Sequence, residues 1–144
     1  MEGTWNNGHW LGGTWKSGTW LNGIWEKGVW EYGIWKGKKS VWKKGTWKLG
    51  SWYDGTWENG IWEYGFWNDG VWQYGIWTKG AWNNGHWQGG VHKNGEWYGG
   101  KFDAIKKKSV WEDGIWFDGI WSNGEWIKGK NSLKEEKNIN PKQW

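Results

Sequence analysis

Large apolar residues recur at every fifth position of this chain, and the positions between them are small, polar or β-branched. Tryptophan fills nearly all of these sites, from Trp5 to Trp35, from Trp42 to Trp87 and from Trp111 to Trp126. Glycine precedes almost every one by two residues, so the repeat is Gly-x-Trp-x-x and occurs 24 times. A period of five matches neither the 3.6 of an α-helix nor the 2 of a continuous strand. The pattern excludes long helices and predicts a repeat architecture.

Each unit predicts a very short strand followed by a corner. The residue between Gly and Trp is mostly β-branched, as at Ile61 and Val71, which favours a strand with Gly and Trp on one face. The residue before Gly is often Asn or Asp, as at Asn59 and Asp69, and these types tolerate positive φ in turns. Because a three-residue strand is unstable alone, the units must stack at about 4.8 Å. The sequence therefore predicts an all-β fold, a parallel β-solenoid with a Trp-filled interior.

The predicted core consists of the residues at the Trp positions, with Gly leaving room for the indole. Its members are Trp5, Trp10, Trp15, Trp20, Trp25, Trp30, Trp35, Trp42, Trp47, Trp52, Trp57, Trp62, Trp67, Trp72, Trp77, Trp82, Trp87, Trp97, Phe102, Trp111, Trp116, Trp121 and Trp126. His92 also takes a Trp position and is predicted to be a core substitution.

Two other arrangements are compatible with the repeat. Asn-Gly and Asp-Gly pairs also favour hairpin turns, so an antiparallel meander is conceivable, although its strands would be at the lower limit of strand length. Alternatively, Trp points outward and the Thr, Ile and Val residues form the core. That arrangement would bury the charges of Glu96, Lys101 and Glu125, which is costly without partners.

The five-residue period resembles that of pentapeptide-repeat proteins, which place a small residue two positions before a large inward one. The resemblance covers Gly3 to Gly129 and implies a four-sided right-handed β-helix, with four units in each 20-residue coil. The chain departs from the family in using Trp with Gly where the family uses Leu or Phe after Ala, Ser or Cys. Four indoles in each coil would crowd such an interior, so a different number of sides is an open alternative. Some phage-associated proteins carry similar Gly-Trp repeats.

The repeat defines one domain over residues 1–129, with a distinct segment over 130–144. Insertions at residues 36–40 and 103–109 interrupt the period without changing it, which predicts loops at corners. Ser132 with Glu135 three residues later is a capping-box pattern, so the last segment is predicted to be either a polar tail or a short capping helix. The first coil has no capping element, which suggests stacking on a partner or on another copy.

Composition narrows the function. The chain has no cysteine, and its formal net charge of +4 comes from Lys alone, too modest for a dedicated polyanion binder. Its start lies inside the first repeat without an apolar segment, which predicts no secretion signal and a virion or cytoplasmic location. There is no membrane-spanning stretch. Three scattered histidines and outward carboxylates assemble no nucleophile, base or metal site, so we expect a protein that is not an enzyme and has no cofactor.

The Lys-rich insertions are the candidate contacts for a charged partner: Lys36, Lys38, Lys39, Lys106, Lys107 and Lys108. They could approach an anionic surface, although a solvated loop is the favoured explanation and nucleic acid is not favoured. Outward aromatics, including Tyr32, Tyr64 and Tyr74, could instead form a platform, but their spacing does not match a 20-residue coil.

Three functions follow from these features. The first is a structural or assembly protein of a virion, such as a fibre, decoration or plug segment, whose partners are other assembly proteins or copies of itself. The second is a glycan- or protein-binding module that uses outward aromatics and Lys-rich loops. The resemblance also implies a third, because some pentapeptide-repeat proteins act as DNA mimics on a topoisomerase. Those present an acidic surface, so the basic charge of this chain argues against it.

Overall fold

The chain forms a parallel β-solenoid with three sides, as described by a computed structural model for residues 1–105 and 107–144. Sheet 1 contains β1 (Glu2–Trp5), β4 (Ser17–Trp20), β7 (Ile34–Trp35), β10 (Ser51–Trp52), β13 (Phe66–Trp67), β16 (Ala81–Trp82), β19 (Glu96–Trp97), β22 (Ile115–Trp116), β25 (Gly129–Lys130) and β26 (Glu136–Lys137). Sheet 2 contains β2 (His9–Trp10), β5 (Ile24–Trp25), β8 (Val41–Trp42), β11 (Thr56–Trp57), β14 (Val71–Trp72), β17 (His86–Trp87), β20 (Lys101–Phe102) and β23 (Ile120–Trp121). Sheet 3 contains β3 (Thr14–Trp15), β6 (Val29–Trp30), β9 (Thr46–Trp47), β12 (Ile61–Trp62), β15 (Ile76–Trp77), β18 (Gly90–His92), β21 (Ser109–Trp111) and β24 (Glu125–Trp126).

Every third strand returns to the same sheet, so a coil contains three units of the repeat. Trp47 pairs with Trp62, and Trp62 with Trp77, in parallel register. The strands β1 to β24 make eight coils, and β25 begins a ninth. This confirms the β-solenoid and corrects the number of sides, because the resemblance to pentapeptide-repeat proteins implied four sides and four units per coil. Parallel pairing also excludes the antiparallel meander.

The size of the indole explains the triangular cross-section. Trp42 and Trp47 meet edge to face with ring centroids 5.9 Å apart and planes at 68°, and Trp47 meets Trp52 at 5.9 Å and 69°. These angles are close to the corner angle of an equilateral triangle. Three rings per coil are therefore in mutual contact around the axis, and a fourth side would move them apart.

Indoles also stack from coil to coil in three columns, in which Phe102 replaces one indole of sheet 2 and His92 one indole of sheet 3. In the middle of the rod the stacked centroids lie 4.7 to 4.8 Å apart with planes within 7°, as for Trp47 on Trp62 and Trp62 on Trp77. The Trp side chains from Trp15 to Trp111 are fully buried, whereas Trp5 and Trp10 in the first coil are partly exposed. The interior is thus filled with Trp, and the arrangement with outward Trp is excluded.

The core is held mainly by ring contacts. Trp25, Trp57 and Trp72 donate their indole N–H groups to backbone carbonyls in the next coil at 3.1 to 3.2 Å. Most other indole N–H groups have no hydrogen-bond partner among the described residues. Hydrogen bonding between coils comes instead from the backbone: Ile61 N–H donates to the Gly45 carbonyl at 2.9 Å, and Glu63 N–H donates to the Trp47 carbonyl at 2.7 Å.

The repeated glycines are required by the backbone more than by the indoles. Gly60 has a φ of +130°, and a Cβ there would lie 2.4 Å from the carbonyl oxygen of Gly45 in the coil before and 3.2 Å from the Trp57 ring. The sequence suggested positive φ at the Asn or Asp before each Gly, whereas the structure has it at Gly itself. Those Asn and Asp side chains accept a hydrogen bond from the Gly N–H, as Asn59 does from Gly60 at 2.8 Å.

Residues 130–144 fold over the last coil without forming an α-helix. β26 pairs antiparallel with β25, and Asn131 Oδ1 accepts hydrogen bonds from the backbone N–H groups of Leu133 and Glu135 at 3.0 and 3.1 Å. The pairing occupies residues that the capping-box pattern assigned to a helix, and the only helical element of the segment is a 3₁₀ turn over Pro141–Gln143. Trp144 packs edge to face on Trp126 at 5.6 Å, so the segment covers this end of the core.

Candidate functional site

The three outer faces of the rod differ, and one part of the face of sheet 1 carries an exposed apolar patch. It lies between β4 and β13 and consists of Leu21, Tyr32, Ile34, Leu49, Tyr53, Tyr64 and Phe66. Tyr32 is 56% exposed and Phe66 is 53% exposed. We call these seven residues the apolar patch. Exposed apolar residues concentrated on one face in this way are typical of interaction sites.

The three-unit coil is what aligns the patch. Tyr32, Leu49 and Tyr64 each precede the Gly of a sheet 1 strand in three successive coils, so they form one column along an edge of the face. Ile34 and Phe66 project from β7 and β13 beside that column. Tyr74 precedes a strand of sheet 3 and lies at another corner. The mismatch between Tyr spacing and a 20-residue coil therefore disappears for Tyr32 and Tyr64, while Tyr74 is separate.

Small side chains form the floor of a groove within the patch. Ser17, Thr19 and Ser51 lie beside Tyr32 and Phe66 and line a groove of about 510 Å³. On the opposite edge of the face, Tyr53 is covered in part by Lys36, whose Nζ is 5.7 Å from the ring centroid.

The sequence predicted a platform of outward aromatic residues only. It therefore did not identify three aliphatic members of the patch, Leu21, Ile34 and Leu49. Each is unremarkable within its own five-residue unit. Aligning the chain at three units per coil would have found them, because that alignment places them beside the tyrosines.

The patch ends where the composition of sheet 1 changes. After β13 the equivalent positions are filled by Lys79, Ala81 and Glu96. Farther along, Tyr98 and Phe117 stack with centroids 4.7 Å apart, and the Tyr98 hydroxyl donates a hydrogen bond to Glu96. That bond to a carboxylate raises the pKa of Tyr98. This pair is a smaller aromatic surface, separated from the patch by polar residues.

The Lys-rich insertions do not converge on one basic surface. Residues 36–40 connect sheet 1 to sheet 2, whereas residues 103–109 connect sheet 2 to sheet 3 four coils later. Lys38 and Lys39 are exposed, as is Lys108, which pairs with Glu125 at 3.1 Å. Lys107 Nζ lies 4.3 Å from the centroid of the Tyr74 ring. Lys106 lies outside the described residues. A partner that needs all the candidate Lys residues at once would have to contact two corners.

Polar side chains on sheet 2 form two local ion-pair clusters. Asp103 lies 3.7 Å from His86 Nε2 and 3.6 Å from Lys101 Nζ. Glu26 accepts a hydrogen bond from His9, which lowers the pKa of the Glu26 carboxyl, and Lys43 lowers it further from 3.7 Å. Within the described residues, no three His, Cys, Asp or Glu side chains are grouped to hold a metal ion. We find in these clusters no nucleophile paired with a base.

His92 is the exceptional residue of the core. It is fully buried between Trp77 and Trp111, with ring centroids at 6.1 and 3.8 Å. Burial lowers the pKa of His92 to about 3, against a smaller opposing effect of the Asp113 backbone. Its ring is smaller than an indole, so the column is locally less filled. His92 is neutral at pH 7.

We expect the stability of the protein to fall as the pH decreases from 6.5 to 5 because of His92. The pKa of His92 is about 3 in the folded chain, and about 6.5 is usual for an exposed histidine, so only the unfolded chain takes up the proton in this range. The free energy of unfolding should fall by about 1.6 kcal/mol over this range, with the slope approaching about 1.4 kcal/mol per pH unit towards pH 5. Urea unfolding at both pH values measures it.

His92→Phe is the control, since Phe102 shows that Phe fits a Trp position. His9 and His86 remain in that variant, so its smaller pH dependence isolates His92. The same pH dependence in both proteins would contradict the assignment.

The fold and the patch define a β-solenoid with a core built almost entirely from Trp and an exposed apolar patch on one face. Comparison with protein-family models, with curated proteins and with solved structures finds no match to this chain. Stacked short parallel strands five residues apart are consistent with pentapeptide-repeat architecture. Among the described residues, no helix is long and apolar enough to cross a membrane.

Proposed function

We propose that the chain is a non-catalytic structural element, a stiff segment that holds or spaces other components of an assembly. What supports this is the continuity of the core: three Trp columns run through eight coils with stacking distances of 4.7 to 5.2 Å wherever Trp meets Trp. Such a rod presents each outer residue at a defined height and on a defined side. A placement in a virion, as a fibre, decoration or plug segment, rests only on the resemblance to Gly-Trp repeats of phage-associated proteins.

Deleting repeats provides a test of the structural role. Removing residues 75–89 takes out one coil, so the rod should shorten by about 4.8 Å with all later faces in place. Removing residues 75–79 takes out one strand, so every later strand should move back to the preceding side. Circular dichroism should show both variants folded, and small-angle X-ray scattering gives their lengths.

In the native assembly, a structural role predicts that the coil-deleted chain is incorporated and that the strand-deleted chain is not. Equal incorporation of both variants would mean that the orientation of the faces is irrelevant, and the proposal would fail. The proposal would also fail if neither deletion altered the geometry of the assembly.

A second candidate function is a binding module for glycans, which the aromatic side chains of the apolar patch favour. Tyr32 and Tyr64 lie two coils apart, about 9.6 Å along the rod, and the Ser and Thr residues of the groove offer hydroxyl groups beside Tyr32. A glycan array compared between the wild type and Tyr32→Ala tests this function. Retention of any glycan signal in Tyr32→Ala would argue against it.

A further inference from the structure

We infer that the apolar patch is a lateral interface between two antiparallel copies of this chain. The inference deepens the proposed structural role by naming a partner, a second copy. It starts from the size of the patch. Four half-exposed aromatic and three aliphatic side chains offer several hundred Å², since a whole aromatic side chain buries roughly 150 to 250 Å². A standard interface takes about 800 Å² from each partner.

The patch is also the right composition for a pair of identical chains. Homodimer interfaces are more apolar than other interfaces and are poor in charged residues at their centre. Leu49 and Ile34 occupy the middle of the patch, and the nearest charged side chain on its far edge, Lys36, lies over Tyr53. Because the strands of sheet 1 pair in parallel register, the rows of its outer face are evenly spaced, and a second face of the same kind can pack against it along its length.

Charges beside the patch determine the direction of the second copy. Lys16, Glu31, Lys48 and Glu63 occupy equivalent positions in four successive coils, next to the column of Tyr32, Leu49 and Tyr64. All four are exposed, and among the described ion pairs none involves them. Their signs alternate, so the row is complementary to itself when reversed.

Consider a twofold axis that lies in the interface, perpendicular to the rod, at a height between Glu31 and Lys48. It brings this edge of the face against the same edge of the second copy. Glu31 then faces Lys48 of the second copy, and Lys16 faces Glu63. Shifting the axis to the height of Lys48 would place Lys48 against Lys48 and Glu31 against Glu63, which is repulsive. The alternating charges therefore select one register.

The same register fits the shape of the patch. The beginning of the groove is lined by Ser17 and Thr19, whereas its far end carries Tyr64 and Phe66. Reversal about the chosen axis places the large residues of one copy over the small residues of the other. Since the contact is isologous, each complementary pair occurs twice.

Sedimentation equilibrium over a concentration series tests the interface in the full chain. The wild type should dimerise. Phe66→Glu should raise the dimer dissociation constant at least about 100-fold, because a twofold-symmetric interface contains the substituted residue of both copies. Ile76→Glu is the matched control, an exposed apolar residue on sheet 3, and should leave the constant unchanged. Circular dichroism establishes that both variants are folded.

Charge reversal tests the direction of the two chains. Glu31→Lys alone should weaken dimerisation, and the double variant Glu31→Lys with Lys48→Glu should restore it, because the opposed pair is exchanged and not lost. The weakening should diminish at high salt, which screens exposed charges. Failure of the double variant to restore the dimer would overturn the antiparallel register.

A wild type that stays monomeric at the highest soluble concentration would overturn the inference, as would an equal effect of Ile76→Glu. A monomer that binds a polysaccharide through Phe66 would mean that the patch is a glycan site. Neither outcome affects the deletion experiments on the rod, so failure of the interface is distinguishable from failure of the structural role.

Discussion

Replacing Gly60 by alanine is expected to lower the free energy of unfolding by about 4 kcal/mol. The new Cβ would lie 2.4 Å from the Gly45 carbonyl oxygen, and the φ of +130° is one that an L-residue rarely adopts. The colliding atom belongs to the backbone of the preceding coil, so a local side-chain movement cannot relieve the contact. Guanidinium unfolding followed by circular dichroism measures the loss.

Two other glycines separate the contributions to this effect. Gly3 has a φ of +102° but no atom within 4 Å of the position that a Cβ would take, so Gly3→Ala should show only the conformational cost of about 1 to 2 kcal/mol. Gly12 has an ordinary φ and would touch only the flexible Lys27 side chain, so Gly12→Ala should change stability by less than about 0.5 kcal/mol. Equal losses at Gly12 and Gly60 would contradict the role of the backbone contact.

Replacing Trp62 by alanine is the second large effect, with an expected loss of about 3 to 5 kcal/mol. The indole is fully buried, stacks on Trp47 at 4.8 Å and on Trp77 at 4.7 Å, and meets Trp57 and Trp67 edge to face. Its removal opens a cavity that interrupts one column and creates no compensating contact. The midpoint of guanidinium unfolding, followed by circular dichroism in place of Trp fluorescence, reports the loss.

Position in the rod should decide how large the effect of a lost indole is. Trp5 is partly exposed and stacks on one side only, with Trp20 at 5.1 Å, so Trp5→Ala should cost less than half as much as Trp62→Ala. The loss of stability in Trp62→Phe should lie between the losses in Trp5→Ala and Trp62→Ala. A Phe ring can fill a Trp position in part, as Phe102 does between Trp87 and Trp121. If Trp5→Ala were as damaging as Trp62→Ala, the columns would not be the source of stability.

A core built from Trp in nearly every position leaves the outer positions free to differ. Thr46, Ile61 and Ile76 succeed one another on sheet 3, while Ile34, Ser51 and Phe66 succeed one another on sheet 1, over the same kind of interior. Residues at these outer positions contribute little to the stacking, so their pattern can serve contact with a partner. This is why the apolar patch is more informative about function than the Trp residues.

The period was enough to predict a good deal of this structure from the amino-acid sequence. A Trp at every fifth position, with Gly two positions before it, predicts short strands, stacked coils and an apolar interior, and all three are present. The reason is that these features follow from local chemistry repeated many times: strand alternation, the size of the indole and the need to pair short strands. The two insertions do not disturb the pattern, because the period resumes unchanged after each.

Only the tertiary structure decided how many units close a coil, and with it which outer residues share a face. A five-residue unit is compatible with three or four sides, and edge-to-face contact between indoles selects three. The reason for each Gly likewise became clear only when the neighbouring coil was in place, since the closest atom to Gly60 belongs to Gly45. The period alone determined a Trp-filled β-solenoid; contacts between coils determined its triangular section, the column of Tyr32, Leu49 and Tyr64, and so the apolar patch.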